Sequence, residues 1–212
     1  MSMEQNLDRR GFMFVLSSPS GAGKTTLSRL LMQNDNNLVM SVSSTTRQPR
    51  NNEEHEKDYY FIDEKEFEEK IDDKFFFEYA EVFGNYYGTP RKKVEDSISA
   101  GKDVLFDIDW QGTRRLTSKA RDDIVSVFIL PPSMEELRRR LVTRGKDEIE
   151  VIERRMARAS DEISHWNEYD YVIINENIDS SLLNILYILK SERLKRTRQH
   201  SLPEFVNTLL DD

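Results

Sequence analysis

Cysteine is absent from the 212 residues, and histidine occurs only at His55, His165 and His200. The first absence removes disulfide staples, thiolate nucleophiles and Cys-type zinc sites together, and it fits a reducing compartment, so a cytoplasmic protein is expected. The histidines stand apart, without metal-ligand spacing, and read as surface residues. Long apolar runs are missing too. Phe12-Met13-Phe14-Val15-Leu16 has about a quarter of the roughly 20 residues a membrane helix needs, so neither a span nor a signal peptide is expected. Cations are in the minority, with 31 Lys and Arg against 39 Asp and Glu and a formal net charge of −8. That balance predicts neither a nucleic-acid partner nor a membrane surface, while a local phosphate site stays possible.

The order of elements is clearer than the composition. Residues 11 to 17 form a short apolar run. Pro19, Gly21 and Gly23 interrupt it, and residues 25 to 32 then take up helical spacing: strand, glycine loop, helix. Residues 103 to 108, 124 to 130 and 171 to 174 are β-rich and too uniformly apolar for a half-exposed sheet, so they read as strands covered on both faces. Helical stretches separate them at 111 to 119, 133 to 144, 147 to 166 and 180 to about 197. Ser133-Met134-Glu135-Glu136 is a capping box, and Leu182, Ile185, Leu186 and Leu189 form a core stripe on the last helix. Strands alternating with helices predict an α/β fold around a parallel sheet. Residues 43 to 96 break this rhythm and read as a small mixed subdomain. The stretch 138 to 158 crowds seven arginines around a Gly145 joint.

Ser18-Pro19-Ser20-Gly21-Ala22-Gly23-Lys24-Thr25 ends as a Walker A motif does, in the required place between a strand and a helix. Backbone N–H groups from Ser20 to Thr26 can cradle phosphate oxygens, Lys24 can neutralise charge on a transferred group, and Thr25 offers a hydroxyl to Mg²⁺. The pattern starts with Gly, and here Ser18 stands in its place; a negative φ there would make Ser cheap, a positive one would strain it. Asp107 ends an apolar strand where a Walker B acid would hold Mg²⁺ or its waters. Asp109, two residues on, suits the N-cap of the following helix better than Asp107 does, and each residue could serve in both ways.

Beyond the loop the chain resembles the bacterial guanylate kinase family over roughly residues 11 to 196. The matching stretches are Ser17 to Thr26, Ser41-Val42-Ser43-Ser44-Thr45-Thr46-Arg47-Gln48-Pro49-Arg50, Lys57 to Phe61, Phe77 to Thr89, Leu105 to Gly112, Pro131 to Ser133, Arg144-Gly145, Arg154 to Met156 and Ile173 to Glu176. The resemblance implies the fold of phosphate-loop nucleoside monophosphate kinases. The core would comprise 11 to 42, 97 to 142 and 167 to 197, with a GMP-binding subdomain over 43 to 96, a helical lid over 143 to 166, and extensions at 1 to 10 and 198 to 212. It implies Mg²⁺-dependent phosphoryl transfer from ATP to GMP or dGMP. It assigns Arg47, Arg50, Tyr59, Tyr87 and Ser43 to the acceptor phosphate pocket. Glu78, Thr89 and Asp109 would read the guanine. Arg144 and Arg155 would close on the phosphates of both nucleotides, and Asn175 and Glu176 would contact the ATP base.

The residue types suit those roles. Arg47 and Arg50, on a loop stiffened by Pro49, can take a dianion by planar charge-assisted forks. One carboxylate matches the adjacent N1–H and N2–H donors of guanine, whereas adenine would turn a lone pair toward it, and an unpaired buried polar group costs about 1–3 kcal/mol. Two other functions remain to be weighed. A catalytically inactive, guanylate-kinase-like protein-interaction domain would typically have an eroded phosphate loop, and here Gly23-Lys24-Thr25 is intact. A kinase for a different acceptor would not need Glu78 and Thr89.

Overall fold

The structure, a computed structural model, describes residues 8 to 50, 53 to 82, 84 to 144 and 149 to 211, without the side chains of Val82, Arg144 and Ile149. Its strands are β1 (Met13–Ser17), β2 (Leu38–Met40), β3 (Ser44–Thr45), β4 (Tyr60–Phe61), β5 (Phe76–Val82), β6 (Asn85–Pro90), β7 (Asp103–Asp107), β8 (Ile124–Leu130) and β9 (Tyr171–Ile174). Its helices are α1 (Lys24–Asn34), α2 (Glu64–Asp72), α3 (Arg91–Ser99), α4 (Trp110–Ala120), α5 (Met134–Arg144), α6 (Ile149–Ser164), α7 (Ile178–Arg193) and α8 (Leu202–Asp211). The expected joint at Gly145 and helix start at Asp147 lie outside the described residues.

Five strands pair in parallel in the order β2-β7-β1-β8-β9. β1 shows why its run is unbroken. Phe12, Phe14 and Leu16 face α1 and α7 with Leu27, Leu31, Ile185 and Leu189, while Met13 and Val15 face α3 and α4 with Val94, Ile98 and Leu116. A strand covered on both sides has no polar face to alternate with.

A second sheet, β4-β3-β6-β5, uses residues 44 to 90 and is mostly antiparallel. Its aromatic residues pack on α2: the Phe67 ring stacks on Phe76 at 4.6 Å and on Tyr86 at 5.3 Å. Gly88 makes room for this, since a Cβ there would meet Phe76 at 2.8 Å. Helix α2 starts at Asp63, whose carboxylate accepts the Glu66 N–H. The expected capping box at α5 is only half formed. Ser133 Oγ accepts the Glu136 N–H, while the Glu136 carboxylate turns to Arg139 and Arg140.

At and after the end of α7, Arg193 and Arg198 are engaged in ion pairs in the interior, while Lys195 and Arg196 are exposed. Asp103 is fully buried and accepts from Arg9 at 2.7 and 2.9 Å and from Arg193 Nε at 2.7 Å; Arg193 Nη1 also reaches Asp35 at 2.6 Å. Nearby, the buried Glu192 takes Arg198, Lys195 and the Tyr171 hydroxyl. Arg9 and the end of α7 are thereby tied to the start of β7 and the end of α1.

Burial opposes the charge on Asp35, but the Arg193 hydrogen bond and charge outweigh it and the Asn37 N–H adds to them, so the carboxyl lies below its usual range. A carboxyl lowered in the folded state contributes stability that is present above its unfolded value, about 3.9, and lost as pH falls through the folded value. Arg193→Leu leaves two carboxylates short of a cation and should cost about 3 kcal/mol at pH 7. Thermal melts should show the Tm gap between the two proteins narrowing toward pH 3, and a gap independent of pH would contradict the pairing.

Candidate active site

The phosphate loop leaves β1 at Ser17, whose hydroxyl donates to the Ile108 carbonyl at 2.8 Å and meets Thr113 Oγ1 at 3.0 Å. These contacts hold the C-terminal ends of β1 and β7 and the first turn of α4 together. Gly21 and Gly23 have φ of 94° and 107°, and Gly23 precedes α1 directly. A side chain at Gly23 would be strained twice over, by that φ and by the Asn175 amide, which would lie 2.5 Å from its Cβ. Ser18 carries no such strain: among the described residues other than glycine only Glu56 and Lys74 have positive φ. The departure from Gly at position 18 is therefore cheap.

Lys24 Nζ lies 2.6 Å from Asp107 Oδ1 and donates to the Ile108 carbonyl at 3.1 Å, and Ser28 Oγ donates to the other Asp107 oxygen at 3.3 Å. The two Walker residues thus meet, with Ser20, Thr25 and Thr26 exposed on the loop and at the start of α1. Asp109 caps α4 by accepting the Gly112 N–H at 2.8 Å. Asn175, expected at the ATP base, also has a role in the loop itself. It is buried, its amide donates to the Ala22 carbonyl at 2.7 Å, and its carbonyl accepts from Ser181 at 2.9 Å, so both ends of the side chain are engaged in bracing the loop. Glu176 is exposed. Gly21, Gly23, Thr26, Arg139, Asn175 and Ile178 are among the walls of a cavity of about 470 Å³ beside the loop.

At the middle of α4 the chemistry changes. Glu78, on β5, is 8% exposed; the Thr89 hydroxyl donates to Oε1 at 2.8 Å and Arg115 Nε donates to Oε2 at 3.2 Å. The Thr89 proton therefore goes to Glu78 and not toward a base O6. Six residues along α4 from Asp109 to Arg115 span about 9 Å, which sets the scale between the phosphate loop and this carboxylate.

Arg47 lies with its guanidinium carbon 5.5 Å from the Tyr59 ring centroid, and the Tyr59 and Tyr87 rings are 6.0 Å apart. Burial pushes the Tyr59 hydroxyl upward. The Arg47 fork already holds an anion: Nη2 donates to both Glu53 oxygens at 2.8 Å, and the Arg50 N–H donates to the same carboxylate at 2.9 Å. The Arg50 N–H and the Arg47 side chain hold the Glu53 carboxyl below its usual range. Arg50 is exposed, and Ser43 is half-buried.

Of the expected lid arginines, Arg144 ends α5 and its side chain lies outside the described residues, while Arg155 is half-buried on α6. Two contacts tie α6 to the site. Glu162 Oε2 accepts the Ser20 N–H at 3.2 Å, and burial pushes this carboxyl upward against that hydrogen bond and the charge of Lys24. His165, expected as an isolated surface residue, stacks on Trp110 with ring centroids 3.6 Å apart and meets Glu168 at 2.7 Å.

Glu53, Arg115 and Glu162 are the cleft charges that the sequence motifs do not single out. Only Glu53 has a local signal, an acid six residues after Arg47 on the same loop. The bracing role of Asn175 is testable in the ligand-free protein. Asn175→Ala leaves the Ala22 carbonyl and the Ser181 hydroxyl without their partner and should cost about 2 kcal/mol in urea unfolding; unchanged stability would contradict it.

A family model described as Guanylate kinase matches residues 10–192. The guanylate kinase of Nitrobacter winogradskyi is 57% identical over 203 residues, covering 96% of this chain and 93% of that protein. That of Paramagnetospirillum magneticum is 54% identical, covering 96% and 95%. A crystal structure of guanylate kinase from Anaplasma phagocytophilum aligns with a TM-score of 0.75 at 44% identity, over 94% of this chain and 95% of that one. With the model spanning most of its length, and with relatives so similar from end to end, the chain belongs to the guanylate kinase family.

Proposed function

We propose that this enzyme transfers the γ-phosphoryl group of ATP to GMP, and to dGMP, giving ADP and GDP or dGDP as a step of purine nucleotide metabolism in the cytoplasm. The observation that carries the acceptor's identity is the buried Glu78 carboxylate, met by Arg115 at the middle of the helix that starts beside the Lys24–Asp107 pair. In the reaction an acceptor phosphate oxygen forms a bond to the γ-phosphorus as the bond to the leaving ADP oxygen breaks. Little covalent help is needed, so fixed charge and alignment supply most of the rate.

The chain's residues divide that work. The loop from Ser20 to Thr26 cradles the donor phosphates with its N–H groups, and Lys24 turns from Asp107 toward the transferred group. Arg47, Arg50, Tyr59, Tyr87 and Ser43 orient the acceptor phosphate, while Glu78, with Thr89 behind it, takes the guanine N1–H and N2–H. Arg155 and Arg144 neutralise charge from the lid side, and Asp109 lies near the amino group.

The donor set also fits Mg²⁺. Thr25 offers a hydroxyl and Asp107 a half-exposed carboxylate, both hard oxygen ligands. Among the described residues no cluster of three His, Cys, Asp or Glu could hold a metal alone, as suits an ion carried in by nucleotide phosphates. When bound, Mg²⁺ supplies charge neutralisation at the phosphate oxygens. The division into a core, a GMP-binding subdomain over 43 to 96 and a lid over 143 to 166 belongs to the same proposal.

A coupled assay with ATP and each of GMP, dGMP, AMP, UMP and CMP should give strong turnover with the first two alone; turnover with AMP and none with GMP would refute the base assignment. Lys24→Ala should lower kcat on the order of 10² to 10³ with the fold intact by circular dichroism. Unchanged activity would remove the phosphate-loop assignment.

A further inference from the structure

Arg115 has no role in the resemblance to the family, yet it supplies the cation at Glu78. The Glu78 residue is 8% exposed, and each carboxylate oxygen accepts one hydrogen bond, Oε1 from Thr89 at 2.8 Å and Oε2 from Arg115 Nε at 3.2 Å. A carboxylate offers about four acceptor sites. One is taken on each oxygen here, and one is left on each, the number that a base edge with two adjacent donors requires.

We propose that Arg115 is a positioning residue for guanine recognition, holding the Glu78 carboxylate in the rotamer that presents its two remaining acceptor sites to N1–H and N2–H. The proposal rests on the reading of Glu78 as the base reader. Thr89 alone could not do this, because its hydroxyl brings no charge and a buried carboxylate is costly without a cation. Arg115 brings that charge from a rigid element. The next residue on α4, Leu116, is fully buried in the core, Asp109 caps the helix, and Thr113 ties its first turn to Ser17, where the phosphate loop leaves β1. The orientation of Glu78 is thereby referenced to the same helix that begins beside the reacting phosphates.

A purely structural ion pair would behave differently. The Arg115 side chain is 37% exposed and makes a single contact with Glu78 through Nε, but the Glu78 side chain is only 11% exposed, so removing Arg115 should lower the Tm as well. A structural role alone would stop at that loss, whereas a positioning role also changes how the base is read, with GMP use affected and ATP use not.

The test is steady-state kinetics of Arg115→Ala, Arg115→Lys, Glu78→Gln and the Arg115→Ala/Glu78→Gln double variant. Each is assayed with ATP and either GMP or inosine monophosphate, which lacks the 2-amino donor. Arg115→Ala should raise the KM for GMP by about tenfold or more, leave the KM for ATP within about twofold, and narrow the preference for GMP over inosine monophosphate by about tenfold. Arg115→Lys, which keeps a cation, should recover part of each effect. In the Glu78→Gln background Arg115→Ala should add less than about twofold, as expected for a residue acting through its neighbour. Equal losses for ATP and GMP, or full additivity with Glu78→Gln, would overturn the proposal. If Glu78→Gln impairs GMP use while Arg115→Ala does not, this proposal alone fails; if Glu78→Gln leaves GMP use intact, the base-reader assignment fails and takes it along.

Discussion

The contact between Lys24 and Asp107 at 2.6 Å joins the loop after β1 to the end of β7. It forms because parallel neighbours in a sheet bring their C-terminal ends to one edge, where α/β proteins bind ligands. The tight turn at Gly21 and Gly23 points α1 at that edge. The Ser17 hydroxyl pins the edge to Ile108 and Thr113, and α4 begins there, capped by Asp109. The reach of α4 to Glu78, and the stacking of His165 on Trp110, then reference the second sheet and the end of α6 to the same point.

The same electrostatic rule recurs through the cleft. A set of cations and N–H groups suited to phosphates is costly to hold together without anions, and the chain supplies them: Asp107 to Lys24, Glu53 to Arg47 and the Arg50 N–H, Glu162 to the Ser20 N–H, Glu78 to Arg115. The net charge of −8 is thus compatible with an anionic substrate. Carboxylates satisfy the cationic positions in the free protein, and phosphates can replace them where the positions are open to solvent.

Much of this was legible in the sequence, for identifiable reasons. The strands β1, β7 and β8 are apolar runs because both faces are covered, whereas β9, expected to be covered in the same way, leaves Val172 and Ile174 exposed at the edge of the sheet; the phosphate loop announces itself by its glycines and by Lys24-Thr25. Strand β2 was not legible, being three residues long and graded from buried to exposed. Helix α3 buries only Val94 and Ile98 in a polar stretch, too thin a stripe to read. The cleft pairings were hidden for another reason. Ser20 and Glu162 are 142 residues apart, and Arg115 and Glu78 are 37 apart, so no local periodicity connects them. The bracing of the loop by Asn175 was not legible either, because its engagement at both ends depends on Ala22 and Ser181 arriving from different elements.

If the buried Glu78 carboxylate is what selects the acceptor, selection must be present at equilibrium, before any phosphoryl transfer. Isothermal titration of the protein with GMP and with AMP, in the absence of ATP, measures this directly. Affinity for GMP at least about 100-fold above that for AMP is predicted, from the unpaired polar groups that adenine would leave. Equal affinities would contradict the account.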